Sequence, residues 1–132
     1  MAPGSEAGSR PRVLLAEDDI NSARTLARML REDGYDVDLC LDGASAIARL
    51  SRGPLPTVLV ADYRMPHADG LSVAMYARSR AAPKVLPVVL VTSYVEALGE
   101  QSSKGDPNWV LLPKPLSYEA LTGVLKRLVG AE

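Results

Sequence analysis

The sequence predicts an α/β fold built on a doubly wound, five-stranded parallel sheet. Short apolar runs rich in β-branched residues lack polar alternation, which is typical of strands buried on both faces. These runs alternate with segments of helical periodicity, and this alternation indicates a parallel sheet covered by helices on both sides. The chain has 132 residues, 47% of them hydrophobic, which is enough for one domain with a substantial core.

The first and second predicted strands differ in their pattern of apolar and polar residues. Residues 13–16 form an apolar strand, and Asp19 or Asn21 can cap the helix that comes next. Gly34 ends this helix in the usual position for a C-terminal glycine. Residues 37–41 alternate apolar and polar side chains, so we expect a strand less deeply buried than the others.

The middle of the chain places an acidic residue at the end of a buried strand. A short helix is predicted over residues 44–50, and the apolar run 58–61 predicts the third strand. Asp62 follows this strand, where it could also be an ordinary loop residue that caps a turn. Asp69 caps the next helix, for which we predict an inward stripe of Leu71, Ala74 and Met75.

The last part of the chain contains two further strands and two helices. The apolar run 87–91 predicts a strand that ends at Thr92, and residues 95–101 form a weak helical pattern. Residues 109–112 predict the fifth strand. Ser117 caps the fifth helix, which carries its apolar residues on one face.

Composition and charge exclude several classes of protein. The single cysteine, Cys40, rules out an intrachain disulfide and a thiolate metal site, and we expect its side chain to be buried. The net charge of −1 and the absence of a basic amphipathic helix or a long apolar run favour neither nucleic acid nor a membrane. We expect a disordered leader over residues 1–11, one domain over 12–129, a tail over 130–132, and a cytoplasmic location.

The predicted topology brings three carboxylates together. A flavodoxin-like (βα)5 sheet with strand order 2-1-3-4-5 fits the length and places the first and third strands side by side. Glu17, Asp18 and Asp62 then end at the same edge, where their mutual repulsion is relieved by a cation, by water or by protonation. A site made of oxygen ligands suits Mg²⁺.

Two further polar side chains are expected at this edge. Thr92 ends the fourth strand, and Lys114 follows the fifth. A hydroxyl donor and an ammonium group are what a transferring phosphoryl group requires. Together with a carboxylate nucleophile and a metal ion, they predict phosphoryl transfer to an aspartate.

The chain resembles the receiver domains of bacterial two-component response regulators over residues 12–129. The resemblance rests on motifs that occur in order, namely Glu17-Asp18, Asp62, Met65-Pro66, Asp69-Gly70, Thr92 and Lys114-Pro115. Asp62 lies 44 residues after Asp18, 30 before Thr92 and 52 before Lys114, which are spacings typical of that family.

The resemblance implies a role for each of these residues. Asp62 would be the phosphoacceptor, Asp18 a direct ligand of Mg²⁺, and Glu17 a ligand that acts through water. The backbone carbonyl of Arg64 would complete the metal site. Thr92 would bond a phosphoryl oxygen, and Lys114 would pair with its charge. The Lys114-Pro115 bond is often cis in such domains.

Two departures from the family pattern leave alternatives open. Leu111 stands where receivers commonly carry a switch aromatic, and we expect Trp109 to lie too far from Thr92 to replace it. The chain could therefore be a pseudo-receiver that binds a partner without phosphorylation. It could also be a phosphatase that forms an aspartyl intermediate, although Arg64 stands where such enzymes usually carry a second acid.

The resemblance also implies partners rather than a separate enzymatic activity. A histidine kinase or a histidine phosphotransfer protein would supply the phosphoryl group, while the domain catalyses only its own phosphorylation and dephosphorylation. We expect a downstream protein to bind the fourth helix, fifth strand and fifth helix, and a homodimer is possible. We expect no nucleic-acid-binding element in this chain.

Overall fold

A computed structural model describes residues 10–93 and 105–130. The strands are β1 (Arg12–Ala16), β2 (Asp36–Cys40), β3 (Val58–Asp62), β4 (Val88–Thr92) and β5 (Trp109–Pro113). The helices within these ranges are α1 (Ile20–Glu32), α2 (Gly43–Leu50), α3 (Gly70–Ala81) and α4 (Tyr118–Leu128). Helix α4 is the element predicted as the fifth helix, and the helix predicted over residues 95–101 lies outside the described residues.

The five strands form one parallel sheet in the order β2-β1-β3-β4-β5, as predicted. The fold is thus the flavodoxin-like arrangement, with β1 and β3 adjacent at the point where the strand order reverses. Ala16 is paired with Ala61, so the residues that follow β1 emerge beside the end of β3. This register positions the acidic residues.

Apolar side chains fill both faces of the sheet. Alternate residues of β1 and β3 point to opposite sides, because successive side chains of a strand alternate. Val13 and Val60 belong to the cluster beneath α1 and α4, whereas Leu14 and Leu59 belong to the cluster beneath α2 and α3. Cys40 is buried, as predicted, and it belongs to the second of these clusters.

Side chains that cap the helices set where the helices begin. The carboxylates of Asp19 and Asp69 accept hydrogen bonds from the backbone N–H groups of Ser22 and Ser72, and Ser117 caps α4 in the same way. These three predicted caps are confirmed. Each one satisfies an N–H group that has no partner within its helix.

Two packing predictions are wrong. Of the predicted inward stripe of α3, Ala74 is buried and Leu71 packs against the core, but Met75 is 60% exposed because the helix is rotated so that Val73 and Ala77 are buried beside Ala74. Strand β2 is not the least buried strand, since no residue of β5 is fully buried. Both strands lie at an edge of the sheet, where each has a single neighbouring strand. Within the described ranges no helix has the length and apolar character needed to cross a membrane.

Candidate functional site

Three carboxylates meet at the carboxyl ends of β1 and β3. Glu17, Asp18 and Asp62 each place an oxygen atom within 4.8 Å of the others, as the predicted strand order requires. Asp62 is buried, with 6% of its surface exposed, whereas Glu17 is half-buried and Asp18 is exposed. Three carboxylates at this separation form an oxygen-only donor set, which fits a hard divalent cation such as Mg²⁺.

Lys114 supplies the opposing charge. Its Nζ atom lies 2.7 Å from Oδ1 of Asp62. The lysine backbone is also fixed, because its N–H group donates to the carbonyl oxygen of Thr92 at 3.0 Å. The Lys114-Pro115 bond is cis, as the resemblance implied. Thr92 is 2% exposed and ends β4, the strand next to β3.

The surroundings of Asp62 and Glu17 disfavour the charged form of both carboxyl groups. Burial raises the pKa of Asp62, and the charge of Asp18 raises it further, although the hydrogen bond and charge of Lys114 act in the opposite direction. Burial also raises the pKa of Glu17, with Asp62 and Asp18 adding to the effect and the N–H group of Asp19 opposing it. A bound cation would relieve the repulsion that these shifts report.

The charge of Lys114 is held in place by its surroundings. Burial alone would lower the pKa of Lys114, but the hydrogen bond and charge of Asp62, together with Glu17 and Asp18, raise it above its ordinary value. The ammonium group therefore stays protonated at neutral pH. It presents a fixed positive charge beside the buried carboxylate.

Two glycines allow the loop after β3 to pack against its neighbours. A Cβ atom on Gly70 would lie 2.5 Å from the backbone oxygen of Asp62, and the Gly70 N–H group donates to the carbonyl of Tyr63. A Cβ atom on Gly43 would overlap the backbone carbonyl of Ala68. The sequence analysis treats Asp69 as a helix cap and Asp69-Gly70 as a family motif, and neither interpretation predicts the close approach of Gly70 to the backbone of Asp62.

Three other sequence candidates are not members of the cluster of carboxylates. Trp109 is paired with Val88 at the opposite end of the β4–β5 pair from Thr92, which confirms that it lies far from Thr92. His67 is exposed and has a positive φ of 72°. Arg64, two residues after Asp62, has an exposed side chain.

A cleft of about 600 Å³ opens from this site between α1 and α4. Glu17, Asp62 and Lys114 line it at the acidic end. Tyr118, which sequence reasoning did not single out, also lines it. A tyrosine at the first position of a capped helix carries no sequence signal of such a location.

Comparison with known proteins identifies related sequences and structures. The family model described as response regulator receiver domain matches residues 13–126. The response regulator receiver protein CpdR of Brucella abortus is 30% identical over 120 residues, covering 91% of this chain and 98% of that protein. Response regulator MprA of Mycobacterium leprae is 33% identical over 121 residues, covering 89% of this chain. The matched part is 50% of MprA, so this chain spans about half the length of that relative.

A solved structure is similar over nearly the whole chain. It is the receiver domain of sensor histidine kinase PA1611 from Pseudomonas aeruginosa PAO1, with a TM-score of 0.77 and 27% identity. The match covers 93% of this chain and 100% of that chain. That structure has a magnesium ion coordinated in its active site cleft.

Proposed function

This chain belongs to the family of response regulator receiver domains, a family of two-component signalling, and we propose that it accepts a phosphoryl group on Asp62 in a Mg²⁺-dependent reaction. The observation that carries the proposal is the buried carboxylate of Asp62. It lies at the end of a central strand, 2.7 Å from an ammonium group and beside two further carboxylates. A buried acid with these neighbours is suited to act as a nucleophile toward phosphorus.

The side chains of Asp62, Lys114 and Thr92 act directly on the transferred phosphoryl group. An oxygen of Asp62 attacks the phosphorus of a phosphohistidine, forming a P–O bond while the P–N bond breaks and its electron pair goes to the imidazole, which then takes up a proton. The Lys114 ammonium group leaves the Asp62 carboxylate and pairs with a phosphoryl oxygen, so that its positive charge offsets the negative charge of the transferred group. The Thr92 hydroxyl donates to another phosphoryl oxygen.

The three carboxylates fit Mg²⁺, which would be held by Glu17, Asp18 and Asp62. The backbone carbonyl of Arg64 would complete the metal site, as the family resemblance implies. When bound, Mg²⁺ supplies positive charge to the phosphoryl oxygens and offsets the repulsion among the carboxylates. The raised pKa values of Glu17 and Asp62 support this assignment, because burial and neighbouring carboxylates make the charged form of both groups less favourable than in an ordinary carboxyl group.

A histidine kinase or a histidine phosphotransfer protein is the proposed donor. The proposed output surface consists of residues 95–101, β5 and α4, because Thr92 and Lys114 end the two strands that flank this region. Leu111 stands where receivers commonly carry a switch aromatic, so the proposed output does not depend on coupling between Thr92 and an aromatic ring at that position. A cytoplasmic location and a homodimer belong to the same proposal.

The test is the uptake of phosphate from acetyl phosphate in the presence of Mg²⁺, followed by intact mass. We expect the wild-type chain to gain one phosphoryl group, Asp62→Asn to gain none, and Asp69→Asn to behave like the wild type. Asp69 is a matched control, since it is an aspartate seven residues away whose carboxylate caps α3, and asparagine caps a helix comparably well. Equal loss of uptake in both variants would contradict the assignment of Asp62.

Two outcomes would favour the other functions. A chain that binds Mg²⁺ yet takes up no phosphate, while its output partner still binds, would be a pseudo-receiver. Multiple turnovers of a free phosphomonoester would indicate a phosphatase with an aspartyl intermediate. The exposed Arg64 at the position where such enzymes usually carry a second acid argues against the phosphatase.

A further inference from the structure

The cleft between α1 and α4 leaves the segment that carries Lys114 without dense packing on one side. The cleft measures about 600 Å³, and Lys114, Pro115 and Leu116 all line it. Side chains in a packed core are held by close neighbours, and a cleft removes those neighbours. The position of this segment therefore depends on the contacts that cross or border the cleft.

One hydrogen bond crosses from α4 to the end of α1. The hydroxyl of Tyr118 donates to Oδ2 of Asp33 at 2.6 Å, joining residues that are 85 apart in sequence. Asp33 is the C-cap residue of α1, and Tyr118 is the first residue of α4. Within residues 10–93 and 105–130, no other hydrogen bond or ion pair joins the helix α1 and its C-cap to α4.

The donor in this bond is well defined. Burial raises the pKa of the Tyr118 phenol, and the hydrogen bond and charge of Asp33 raise it further, so the hydroxyl remains protonated at physiological pH. The ring of Tyr118 packs against the apolar cluster beneath α1 and α4. The acceptor is a carboxylate oxygen, and the bond is short and exposed to solvent.

The link from Tyr118 to the site is short and stiff. Tyr118 lies four residues after Lys114, and Pro115 restricts the backbone between them. The other end of the segment is fixed to β4 by the hydrogen bond from Lys114 to Thr92. Because the N–H group of Lys114 is held by Thr92, movement of the first turn of α4 would change the direction of the Lys114 side chain while its backbone N–H group stays in place.

We propose that Tyr118 is a positioning residue for Lys114. The hydrogen bond from Tyr118 to Asp33 sets the width of the cleft and thereby the place of the Lys114 ammonium group at Asp62. This inference rests on the proposed function. It assigns to Tyr118 a role in the phosphoryl-binding step, because displacement of the Lys114 ammonium group removes a partner of the phosphoryl oxygens but removes none of the carboxylates Glu17, Asp18 and Asp62.

The test compares Tyr118→Phe with a matched control, Tyr76→Phe. The Tyr76 hydroxyl makes no hydrogen bond to any described residue, so its loss should change little. We expect Tyr118→Phe to weaken beryllofluoride binding at saturating Mg²⁺ by about fivefold and to slow phosphorylation by acetyl phosphate to a similar degree. The affinity for Mg²⁺ alone, measured by calorimetry, should stay within about twofold of the wild type.

The two readouts separate positioning from general loosening of the fold. A loss of Mg²⁺ affinity equal to the loss of beryllofluoride affinity would overturn the proposal, because a structural defect affects both. Asp33→Ala should reproduce the effect of Tyr118→Phe, and the double variant should be no worse than either single variant. Additive losses would contradict a role exerted through the shared hydrogen bond.

The proposal can fail independently of the proposed function. Wild-type protein that is phosphorylated on Asp62, together with a Tyr118→Phe variant of unchanged beryllofluoride affinity, would overturn the role of Tyr118 alone. Wild-type protein that neither takes up phosphate nor binds beryllofluoride with Mg²⁺ would overturn both.

Discussion

Replacement of Gly70 by alanine tests whether the backbone beneath Asp62 is as closely packed as the structure indicates. Gly70 begins α3, and its N–H group donates to the carbonyl of Tyr63 at 2.6 Å. A Cβ atom at this position would lie 2.5 Å from the backbone oxygen of Asp62 and 3.0 Å from the Cα atom of Tyr63. These are backbone atoms, so the overlap cannot be removed by rotating a side chain.

The expected cost follows from two opposing effects. Forcing extra atoms into a packed region typically costs about 1–3 kcal/mol. Alanine in a helix gains up to about 1 kcal/mol over glycine, although the first position of α3 benefits less than an interior one. We therefore expect Gly70→Ala to lower the free energy of unfolding by about 1–2 kcal/mol. The Tm should fall by several degrees.

The Gly70→Ala substitution should also weaken the metal and phosphoryl site. Relief of the overlap must shift Asp62 or the start of α3, and a shifted carboxylate no longer matches the donor positions of Glu17 and Asp18. Mg²⁺ affinity and phosphate uptake should therefore both fall several-fold. Chemical unfolding and calorimetric titration with Mg²⁺ measure the two effects separately.

Gly123→Ala is the matched control within the same chain. Gly123 lies in the interior of α4, and a Cβ atom there would meet nothing within 4 Å. This variant should raise the free energy of unfolding by about 0.5–1 kcal/mol and leave Mg²⁺ affinity unchanged. A Gly70→Ala variant that matched the control in both measurements would refute the close approach of α3 to Asp62.

Three further predictions concern the metal and the phosphorylated form. Asp18→Ala should nearly abolish Mg²⁺ binding. The free energy of unfolding of the wild type should rise by about 2.7 kcal/mol at Mg²⁺ concentrations 100-fold above Kd, and an equal rise in the variant would refute the proposed metal site. Because the pKa values of Glu17 and Asp62 are raised in the folded, metal-free protein, its stability should fall as the pH rises through those native values, and protons should weaken Mg²⁺ binding already above the ordinary carboxyl range. Unfolding in chelator and Mg²⁺ titrations across that range test this, and a pH-independent affinity there would contradict it. Arg64→Asn should shorten the lifetime of the phosphorylated form several-fold, a change of about 1 kcal/mol in the barrier to hydrolysis, because an arginine beside the acceptor blocks the approach of water. The rate of dephosphorylation after removal of the phosphodonor measures this lifetime. An unchanged or longer lifetime would contradict the blockade.

The sequence by itself determined the fold class and the residues of the acidic edge. Apolar runs specify strands buried on both faces, and polar residues placed immediately after such runs must emerge at the carboxyl edge of a parallel sheet. Glu17, Asp62 and Thr92 were found in this way. The caps Asp19 and Asp69 were also predictable, because a cap interacts with backbone only three residues away.

Contacts between elements distant in sequence were decided only by the tertiary structure. Periodicity places apolar residues on one side of a helix but does not fix the rotation of that helix against the sheet, so Met75 was assigned to the core although it is exposed. Two contacts depend on how whole helices pack against the sheet: the approach of Gly70 to Asp62 and the hydrogen bond between Tyr118 and Asp33. Local propensities act over one turn or one strand, whereas these distances are set by the sum of packing over the entire domain.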